Sequence, residues 1–570
     1  LVDEFRVSSV VRNESWIRTC YNMMFNSDSY VIIGQQKTGS IINRRPGLSN
    51  ETPLNNAINI DVMKQSVSVT ITDFDGDLVD WSIEGKYVID AFGVGEMSGV
   101  KSAELISPLP FDTEIVWFVN ATDPLGSGLW TNQTFSFHTR DLSMPTLKWV
   151  EDTNVGYCSG IPALAADVNV DGYMDVIRKG AGGIAVYNGT TGDLIWENLT
   201  PLFSFHGSLE IIDLNLDGIP EILAAEEDGG ISAFHGNNGT RYWHNPLAYS
   251  SDKFLAAGDI NADGYPEIFV TTSGFPGFIF ALTYEGEIYA QNFTGYPCWG
   301  GLSLGDSDQD GVFELYQGDY YAYGPRCWSP YDLTLIWNNN MGGKLSAESH
   351  CPTLADVDKD GIDDVVVLQQ YRGGSGLIVL NSSTGQVLGS SPLNGHERWQ
   401  QSIPGMKCHS QASVYDIDND GNLEIIPGGY GKNGPSQALV WDLYNWTAES
   451  GGVLDSYGRL PYLVQEPPAI IDVTGDGNVE ILCCTESNVS IYNNKYEYVG
   501  MIPIVAEEYV TAQDLDDDGL LEIIFNVGSS LRVYDTVSAA PVPLARSDTT
   551  FYDQGRGRVP YYSPYGPVKP

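Results

Sequence analysis

Short apolar runs separated by turns recur along most of the chain, and they predict strands rather than helices. One run, Pro162–Ala166, precedes an aspartate-rich turn, and the β-branched pair Val176-Ile177 follows that turn. A third run, Ile184–Tyr187, ends in a Gly/Thr-rich turn, after which a fourth run, Asp193–Trp196, begins. Runs bounded in this way by Gly, Asn and Thr are typical of strands. Four strands in succession predict one blade of a β-propeller.

The aspartate-rich turn is a nonapeptide that recurs eight times. It has Asp at position 1, Asp, Asn or Thr at position 3, Asp at position 5, Gly at position 6 and Asp or Glu at position 9. Successive copies are 42 to 60 residues apart. Repeats of this length indicate a propeller or another solenoid. We therefore predict an all-β protein with an eight-bladed β-propeller. The alternative is seven blades, if one copy of the nonapeptide does not belong to a blade.

The residue types of the nonapeptide point to a calcium loop. Oxygen ligands at positions 1, 3, 5 and 9, with a glycine that lets the backbone turn, can surround a hard cation. The loop is not an EF-hand, because position 12 of the last copy is Phe525 instead of a glutamate. An ordinary Asp/Asn/Gly turn is the alternative for one copy, but eight copies with the same internal spacing favour a metal site. The predicted ligands are Asp167, Asn169, Asp171, Asp175, Asp213, Asn215, Asp217, Glu221, Asp259, Asn261, Asp263, Glu267, Asp306, Asp308, Asp310, Glu314, Asp356, Asp358, Asp360, Asp364, Asp416, Asp418, Asp420, Glu424, Asp472, Thr474, Asp476, Glu480, Asp514, Asp516, Asp518 and Glu522.

The charge of the chain supports this interpretation. The chain has 74 acidic and 29 basic side chains and a formal net charge of −45. Eight bound dications would bring that charge to about −29 and relieve crowding among carboxylates. We expect about eight structural calcium ions, bound most weakly by loops with three carboxylates and released first from the loop containing Thr474. So acidic a chain is not expected to bind nucleic acid through a basic surface.

These loops and the strands around them resemble the FG-GAP/VCBS repeats of the integrin α-subunit propeller and of secreted microbial proteins. The similarity covers residues 146–545 and holds at positions 1, 3, 5 and 9 of each loop. In that family the aspartate-rich hairpin carries calcium at the rim of the blade. A clear Phe-Gly and Gly-Ala-Pro cage is missing, so the chain is closer to the VCBS type and integrin-like partner binding is not implied. The run Thr146–Val150 resembles the fourth strands and is expected to close the ring against the last blade.

Residues 45–142 have a different pattern. Apolar and polar residues alternate in Val67–Asp77, Glu114–Asp123 and Trp130–Phe137. Alternation with regularly spaced turns predicts a β-sandwich. The segment resembles the immunoglobulin-like or fibronectin-like repeats of archaeal and bacterial surface proteins, which act as spacers or adhesive units. Its Asp73, Asp75 and Asp77 form either another cation site or a plain hairpin turn.

The two ends of the chain form an N-terminal arm, residues 1–44, and a C-terminal tail, residues 546–570. Residues 1–46 and 546–570 each have a net charge of +2, whereas the remainder has −49. Basic segments can dock on an acidic neighbour. The alternating apolar residues of the arm suit a strand donated to an open sheet edge, and the tail is Tyr/Pro-rich and extended. These features predict self-association through the terminal segments, with docking inside the same molecule as the alternative.

Several features indicate an exported protein. No apolar stretch is long enough to cross a bilayer, and the start at Leu1 without a charged-then-apolar leader is expected of a mature or shortened chain. Eight cysteines without a Cys-x-x-Cys pair argue against zinc ribbons and redox motifs. The predicted N-glycosylation sites are Asn13, Asn50, Asn120, Asn132, Asn188, Asn198, Asn238, Asn292, Asn381, Asn445 and Asn488.

An enzyme is the alternative function. Residues that precede the first strand of each blade converge on one end of a propeller axis, and three histidines among them either share a transition-metal site or lie separately. Two cysteine pairs, Cys298 with Cys327 and Cys351 with Cys408, could instead form disulfides. These candidate rim residues are Cys158, His206, Asp252, Cys298, His350, Cys351, Cys408, His409, Glu466, Glu507 and Glu508.

Some calcium-dependent propellers with similar repeats are rhamnogalacturonan lyases, which makes a secreted polysaccharide-processing enzyme the second interpretation. That chemistry needs a base and clustered cationic groups, and the few basic residues are not clustered in the repeats. Sequence motifs of serine hydrolases, zinc peptidases and phosphate-binding loops are missing as well. We therefore predict a non-catalytic, extracellular, calcium-stabilised structural or adhesion protein that forms a filament through its ends and takes a protein or glycan ligand.

Overall fold

The computed structural model describes residues 43–539, apart from 107, 157–161, 203–208, 227–228, 248–252, 273–275, 296–300, 307–310, 319–323, 340–347, 350–351, 372–373, 389–405, 408–411, 428–429, 432–439, 443–446, 449–467, 486 and 507–509. All of the regular elements assigned in these residues are β-strands, so the predicted all-β class is confirmed for them. No helix with the length and apolar character of a membrane span occurs in this part of the chain. The tail and nearly all of the arm lie outside the described residues.

The first eight strands form two antiparallel sheets. They are β1 (Gly47–Thr52), β2 (Ala57–Ile60), β3 (Ser66–Thr72), β4 (Val79–Gly85), β5 (Ala91–Glu96), β6 (Gly99–Glu104), β7 (Glu114–Thr122) and β8 (Trp130–Thr139). One sheet has the order β1-β3-β6 and the other has the order β2-β8-β7-β4-β5. Every second residue of β3 is buried, including Val67, Val69 and Ile71, because side chains alternate between the two faces of a strand.

The chain divides into two compact units, each built from several segments of the sequence. The smaller unit comprises residues 1–56, 66–105 and 115–137. The larger unit comprises 57–65, 106–114 and 138–570.

Strands β9 to β42 form the series of sheets in the larger unit. They are β9 (Thr146–Asp152), β10 (Leu164–Ala166), β11 (Asp175–Gly180), β12 (Gly183–Asn188), β13 (Leu194–Asn198), β14 (Leu209–Ile212), β15 (Glu221–Ala225), β16 (Ile231–His235), β17 (Arg241–Asn245), β18 (Lys253–Gly258), β19 (Glu267–Thr272), β20 (Phe278–Leu282), β21 (Ile288–Phe293), β22 (Leu302–Gly305), β23 (Glu314–Gln317), β24 (Arg326–Trp328), β25 (Leu335–Asn338), β26 (Glu348–Ser349), β27 (Thr353–Ala355), β28 (Asp364–Tyr371), β29 (Gly374–Leu380), β30 (Met406–Lys407), β31 (Ala412–Tyr415), β32 (Glu424–Pro427), β33 (Tyr430–Gly431), β34 (Trp441–Asp442), β35 (Thr447–Ala448), β36 (Ala469–Ile471), β37 (Glu480–Cys484), β38 (Val489–Tyr492), β39 (Tyr498–Ile502), β40 (Val510–Gln513), β41 (Leu520–Val527) and β42 (Ser530–Ala539).

Most of these strands belong to four-stranded antiparallel sheets, as the repeat predicted. Four successive sheets follow chain order, namely β10 to β13, β14 to β17, β18 to β21 and β22 to β25. In the fifth sheet β28 pairs with β26, β27 and β29, and the sixth has the order β31-β32-β34-β35. The seventh runs from β36 to β39, and β30 pairs separately with β33. The result is a β-propeller-like fold in which each fully described aspartate loop connects two adjacent antiparallel strands of one sheet.

The last sheet is completed by a strand from before the first sheet. Its order is β40-β41-β42-β9, with Thr146 opposite Asp535 and Asp152 opposite Ser530. The expectation that Thr146–Val150 closes against the last blade is therefore confirmed. Hydrogen bonds between β9 and β42 join the two ends of the series without a covalent bond.

Neighbouring sheets are held together by apolar side chains. One buried cluster joins the first two sheets through residues such as Ile177 and Ile211. Another contains Val176 of the first sheet together with Leu515 and Ile524 of the last. The first and last sheets therefore pack on each other as neighbouring sheets do elsewhere in the series.

A tryptophan contact recurs between consecutive sheets. The indole Nε1 of Trp149 donates to Gly189 O at 2.7 Å, and Trp196 makes the same contact with Gly236 O at 2.7 Å. Each indole also covers a turn glycine of the next sheet, so that a Cβ at Gly192 would lie 2.8 Å from the Trp149 ring. Gly192 has φ of 79°, a conformation that favours glycine. Trp243 and Trp337 make equivalent bonds to Tyr284 O and Ser382 O.

We predict that Trp149→Ala weakens the closure of the ring. The substitution removes a buried indole between the last and first sheets, a change that costs about 3–5 kcal/mol in well-packed sites. The urea midpoint and the Tm should both fall. Trp130→Ala is the matched control, because Trp130 is 55% exposed on β8. Equal midpoints for the two variants would show that this contact contributes nothing to closure.

Candidate metal centres in the aspartate loops

The first aspartate loop folds around its own side-chain oxygens. Asp167 accepts the backbone N–H of Asp171 on Oδ1 at 3.1 Å and that of Gly172 on Oδ2 at 3.0 Å. Asn169 Oδ1 accepts the same Asp171 N–H at 2.8 Å, and Asp171 Oδ1 accepts Tyr173 N–H at 3.0 Å. The side chains at positions 1, 3 and 5 therefore turn toward the inside of the loop.

The carboxylate at position 9, in the strand that follows the loop, accepts a hydrogen bond from the backbone near the start of the loop. In the first loop Asp175 Oδ2 accepts Val168 N–H at 3.2 Å. The equivalent bonds join Leu214 to Glu221, Ile260 to Glu267, Val357 to Asp364, Ile417 to Glu424, Val473 to Glu480 and Leu515 to Glu522. These bonds fix the position-9 oxygens beside the loop, where a cation ligand is needed.

The backbone of the loop requires two residues with positive φ. Gly172 at position 6 has φ of 95°, and Val170 at position 4 has φ of 60°. A β-branched residue rarely adopts this conformation, which costs of order 1–3 kcal/mol and persists only where surrounding contacts enforce it. The carboxylate–amide hydrogen bonds provide those contacts.

Burial raises the pKa of the position-9 carboxylates. Asp175 has a pKa raised to about 7, first by burial and then by the charges of Asp171 and Asp167. Burial likewise raises the pKa of Asp364 to about 8 and that of Glu480 to about 8. Removing carboxylates from water disfavours their charged form unless a positive charge lies nearby. The loops therefore concentrate negative charge that a divalent cation would stabilise.

The residue at position 3 divides the loops into two classes. Where it is Asn or Thr, its side chain donates a hydrogen bond to the carboxylate at position 9, whereas an aspartate cannot donate when ionised. The donating pairs are Asn169 with Asp175 at 3.3 Å, Asn215 with Glu221 at 3.2 Å, Asn261 with Glu267 at 2.8 Å and Thr474 with Glu480 at 3.2 Å.

Carboxylate clusters occur in loops that have aspartate at position 3. One oxygen from each member of a cluster lies within 4.8 Å of the others, and the three clusters are Asp356, Asp358 and Asp360; Asp416, Asp418 and Glu424; and Asp514, Asp516 and Glu522. Buried Oδ1 atoms of Asp416 and Asp514 accept no hydrogen bond from the described part of the chain. An oxygen-only donor set with buried, unsatisfied carboxylate oxygens fits calcium. Asp308 and Asp310 of the fourth loop lie outside the described residues.

A lysine side chain reaches into the last loop. Lys148 Nζ lies 2.7 Å from Asp516 Oδ2 and 3.2 Å from Glu522 Oε1, and it also contacts Asp535 Oδ1 at 2.9 Å. Burial lowers the pKa of Lys148, but its bonds to Asp516, Asp535 and Glu522 outweigh that effect and leave the pKa above its usual range. Two predicted calcium ligands therefore face an ammonium group supplied by β9. The nonapeptide pattern contains no signal for this residue.

The eleven candidate rim residues of the enzyme interpretation all lie outside the described residues. Of the predicted glycosylation sites, Asn50, Asn132 and Asn238 are exposed. Asn198 and Asn292 instead donate Nδ2 to backbone oxygens of the following sheet, Gly239 O at 2.6 Å and Leu333 O at 2.9 Å. Asn13 and Asn445 are among the residues that are not described.

The repeat segments match known family models. Residues 213–270 and 356–426 match the FG-GAP-like repeat, and residues 254–290 match the FG-GAP repeat. These segments of the chain are therefore similar to FG-GAP repeats. The matched FG-GAP segments include whole aspartate loops, which connects the loop geometry to a repeat that is typical of extracellular and adhesion-type proteins and often binds calcium. No curated protein matches the chain significantly.

Solved structures with similarity to the chain have low sequence identity. BamB from Moraxella catarrhalis is 13% identical with a TM-score of 0.42, covering 69% of this chain and 98% of its own. Sqt1 from Saccharomyces cerevisiae is 10% identical with a TM-score of 0.48, covering 69% of this chain and 100% of its own. The Vibrio cholerae biofilm matrix protein Bap1 is 14% identical with a TM-score of 0.21, covering 87% and 91%.

We predict that Lys148→Met makes the last aspartate loop dependent on calcium. The variant keeps an apolar stem but leaves Asp516 and Glu522 without their ammonium partner. Breaking a buried charge pair costs about 3 kcal/mol or more, so the Tm in a chelating buffer should fall, and calcium should raise it further than in the wild type.

Lys495→Met is the matched control, because Lys495 is exposed on a turn. It should retain the wild-type Tm in both buffers. Equal stability of Lys148→Met and wild type under chelation would contradict the assignment of Lys148 as a counter-ion.

Proposed function

We propose that this chain is an exported structural or adhesion protein whose eight-bladed FG-GAP propeller is stabilised by calcium. The observation that carries the proposal is the repeated loop in which a buried carboxylate at position 9 lies beside the oxygen-bearing side chains at positions 1, 3 and 5. FG-GAP repeats are typical of extracellular or adhesion-type proteins. An immunoglobulin-like module formed by β1 to β8 would act as a spacer or adhesive unit before the propeller.

Calcium would compensate charge and hold each loop against its two strands. The position-9 carboxylate belongs to the strand that follows the loop, whereas position 1 comes after the strand that precedes it. A cation bound between them would therefore tie the two strands together. A ligand that binds only the folded state stabilises it by mass action, by about 1.4 kcal/mol per site at tenfold the Kd.

The expected location agrees with this chemistry. Extracellular calcium modules work with dissociation constants of roughly 10⁻⁴–10⁻³ M. In loops such as that of Asn261, the side-chain amide already donates a hydrogen bond to the Glu267 carboxylate. We expect such loops to bind calcium with a weak affinity in this range. Loops such as that of Asp358 should bind more tightly, because their carboxylates have no side-chain donor at position 3.

We predict that exchange of the position-3 residue shifts the response to calcium in opposite directions. Asp358→Asn should reduce the rise in Tm that calcium produces, and Asn261→Asp should increase it. The measurement is thermal unfolding in a chelating buffer and in about 1 mM calcium, with magnesium as the ionic control. A wild-type Tm that does not change after thorough chelation would reject calcium stabilisation.

Assembly through the terminal segments is the second part of the proposal. The arm and the tail are basic and the remainder of the chain is strongly acidic. Opposite charges of this kind favour association between molecules and weaken with salt. The alternating apolar residues of the arm suit a strand that pairs with an open edge in the next molecule.

We predict that deletion of residues 1–40 abolishes polymer formation while the repeats stay folded. Electron microscopy of the native and the truncated protein measures filaments directly, and circular dichroism controls for folding. Adding the arm as a separate peptide to the native protein should shorten the filaments by occupying the acceptor edge. Unchanged filaments after the deletion would reject the donated strand.

A further inference from the structure

Three carboxylates come together within the smaller unit, away from the FG-GAP loops. Asp73 and Asp77 lie in the turn between β3 and β4, and Asp123 follows β7. One carboxylate oxygen of each residue lies within 4.8 Å of the others. Asp73 is 6% exposed and Asp123 is fully buried. No salt bridge to any of the three is found among the described residues.

Two buried oxygens at this cluster have no hydrogen-bond partner among the residues that the structure describes. Asp73 Oδ1 accepts the backbone N–H groups of Asp75, Gly76 and Asp77 at 2.7–2.9 Å. Its Oδ2 is buried and accepts none. Asn43 donates Nδ2 to Asp77 Oδ2, and its own Oδ1 is likewise buried without a donor. An unsatisfied buried oxygen costs free energy, and these two are the kind of atom that a cation satisfies.

A glycine leaves room at the point where these side chains meet. A Cβ on Gly126 would lie 2.3 Å from Asp77 Oδ2, 2.5 Å from Asp123 Oδ2 and 2.6 Å from Asn43 Nδ2. Three segments that are distant in sequence therefore direct polar atoms to one small space that any side chain at residue 126 would fill.

The neighbouring carboxylate is excluded from this space. Asp75 Oδ2 accepts Arg44 N–H at 2.7 Å, and its Oδ1 lies 3.5 Å from the Arg44 guanidinium. The sequence pattern grouped Asp73, Asp75 and Asp77, whereas the structure replaces Asp75 by Asp123 and adds Asn43. Burial raises the pKa of Asp123, but bonds from the Ser127 side chain and backbone outweigh it and hold the pKa below its usual range.

We propose that Asn43, Asp73, Asp77 and Asp123 bind a hard divalent cation, calcium, at a site separate from the FG-GAP loops. Oxygen-only donors with a net negative charge match the ligand preference of calcium, and water completes its six to eight ligands. The ion joins the segment before β1 to the two loops that follow β3 and β7. This site goes beyond the proposed function, because it requires nothing of the propeller.

The test counts calcium ions bound to the full chain by equilibrium dialysis with radioactive calcium. The double variant Asp77→Asn/Asp123→Asn should lose one bound calcium per chain relative to the wild type. Asp75→Asn is the matched control and should keep the wild-type count, because Asp75 lies in the same turn but pairs with Arg44. The number of calcium ions bound by the FG-GAP loops should be the same in the wild type and both variants. The loss of one ion would therefore be measurable even if those loops bind no calcium.

A second measurement covers the case in which the double variant fails to fold. Hydrogen exchange of the wild-type chain, with and without calcium, should show slower exchange of the amides at residues 73–77 and 125–128 when calcium is added. A folded double variant with the wild-type calcium count would overturn the proposal, as would exchange at these two segments that calcium leaves unchanged.

Discussion

The pairing of β9 with β42 is the contact on which the rest of the larger unit depends. Sheets that pack only on their neighbours would otherwise leave apolar surface exposed at both ends of the series. β9 precedes the first sheet in the chain but belongs to the last, so backbone hydrogen bonds join the ends. Two consecutive residues of β9 make further contacts on opposite sides of the strand, because successive side chains of a strand point to opposite faces. Trp149 reaches the first sheet, and Lys148 reaches the carboxylates of the last loop.

The aspartate loops differ in how the negative charge of their carboxylates is compensated. Each loop buries carboxylates, which is unfavourable unless hydrogen bonds or positive charge compensate it. Backbone amides provide part of this in every described loop. Asn261 adds a side-chain donor, Lys148 adds an ammonium group, and in the loop of Asp358 position 3 is itself a carboxylate. The need for a bound cation therefore differs between loops that share one sequence pattern. Eight equivalent calcium sites would not show this difference.

The proposed cation site of the smaller unit follows the same physical rule with a different construction. A loop of nine residues carries its ligands on one short segment, so its shape is mostly local. Asn43, Asp77 and Asp123 come from separate segments and meet only after the two sheets have formed. A cation there would contribute to tertiary organisation, whereas a cation in a propeller loop would act mainly within one sheet.

The sequence by itself determined the all-β class, the four-stranded repeat, the position of each aspartate loop between two strands and the closing strand. These features depend on local periodicity and on ligands a few residues apart, which are visible in a linear pattern. Only the tertiary structure decided that Lys148 meets Asp516, which is 368 residues away, and that Asp123 rather than Asp75 joins Asp73. No local pattern carries these contacts, because they arise where strands that are distant in sequence are brought together by hydrogen bonding and apolar packing.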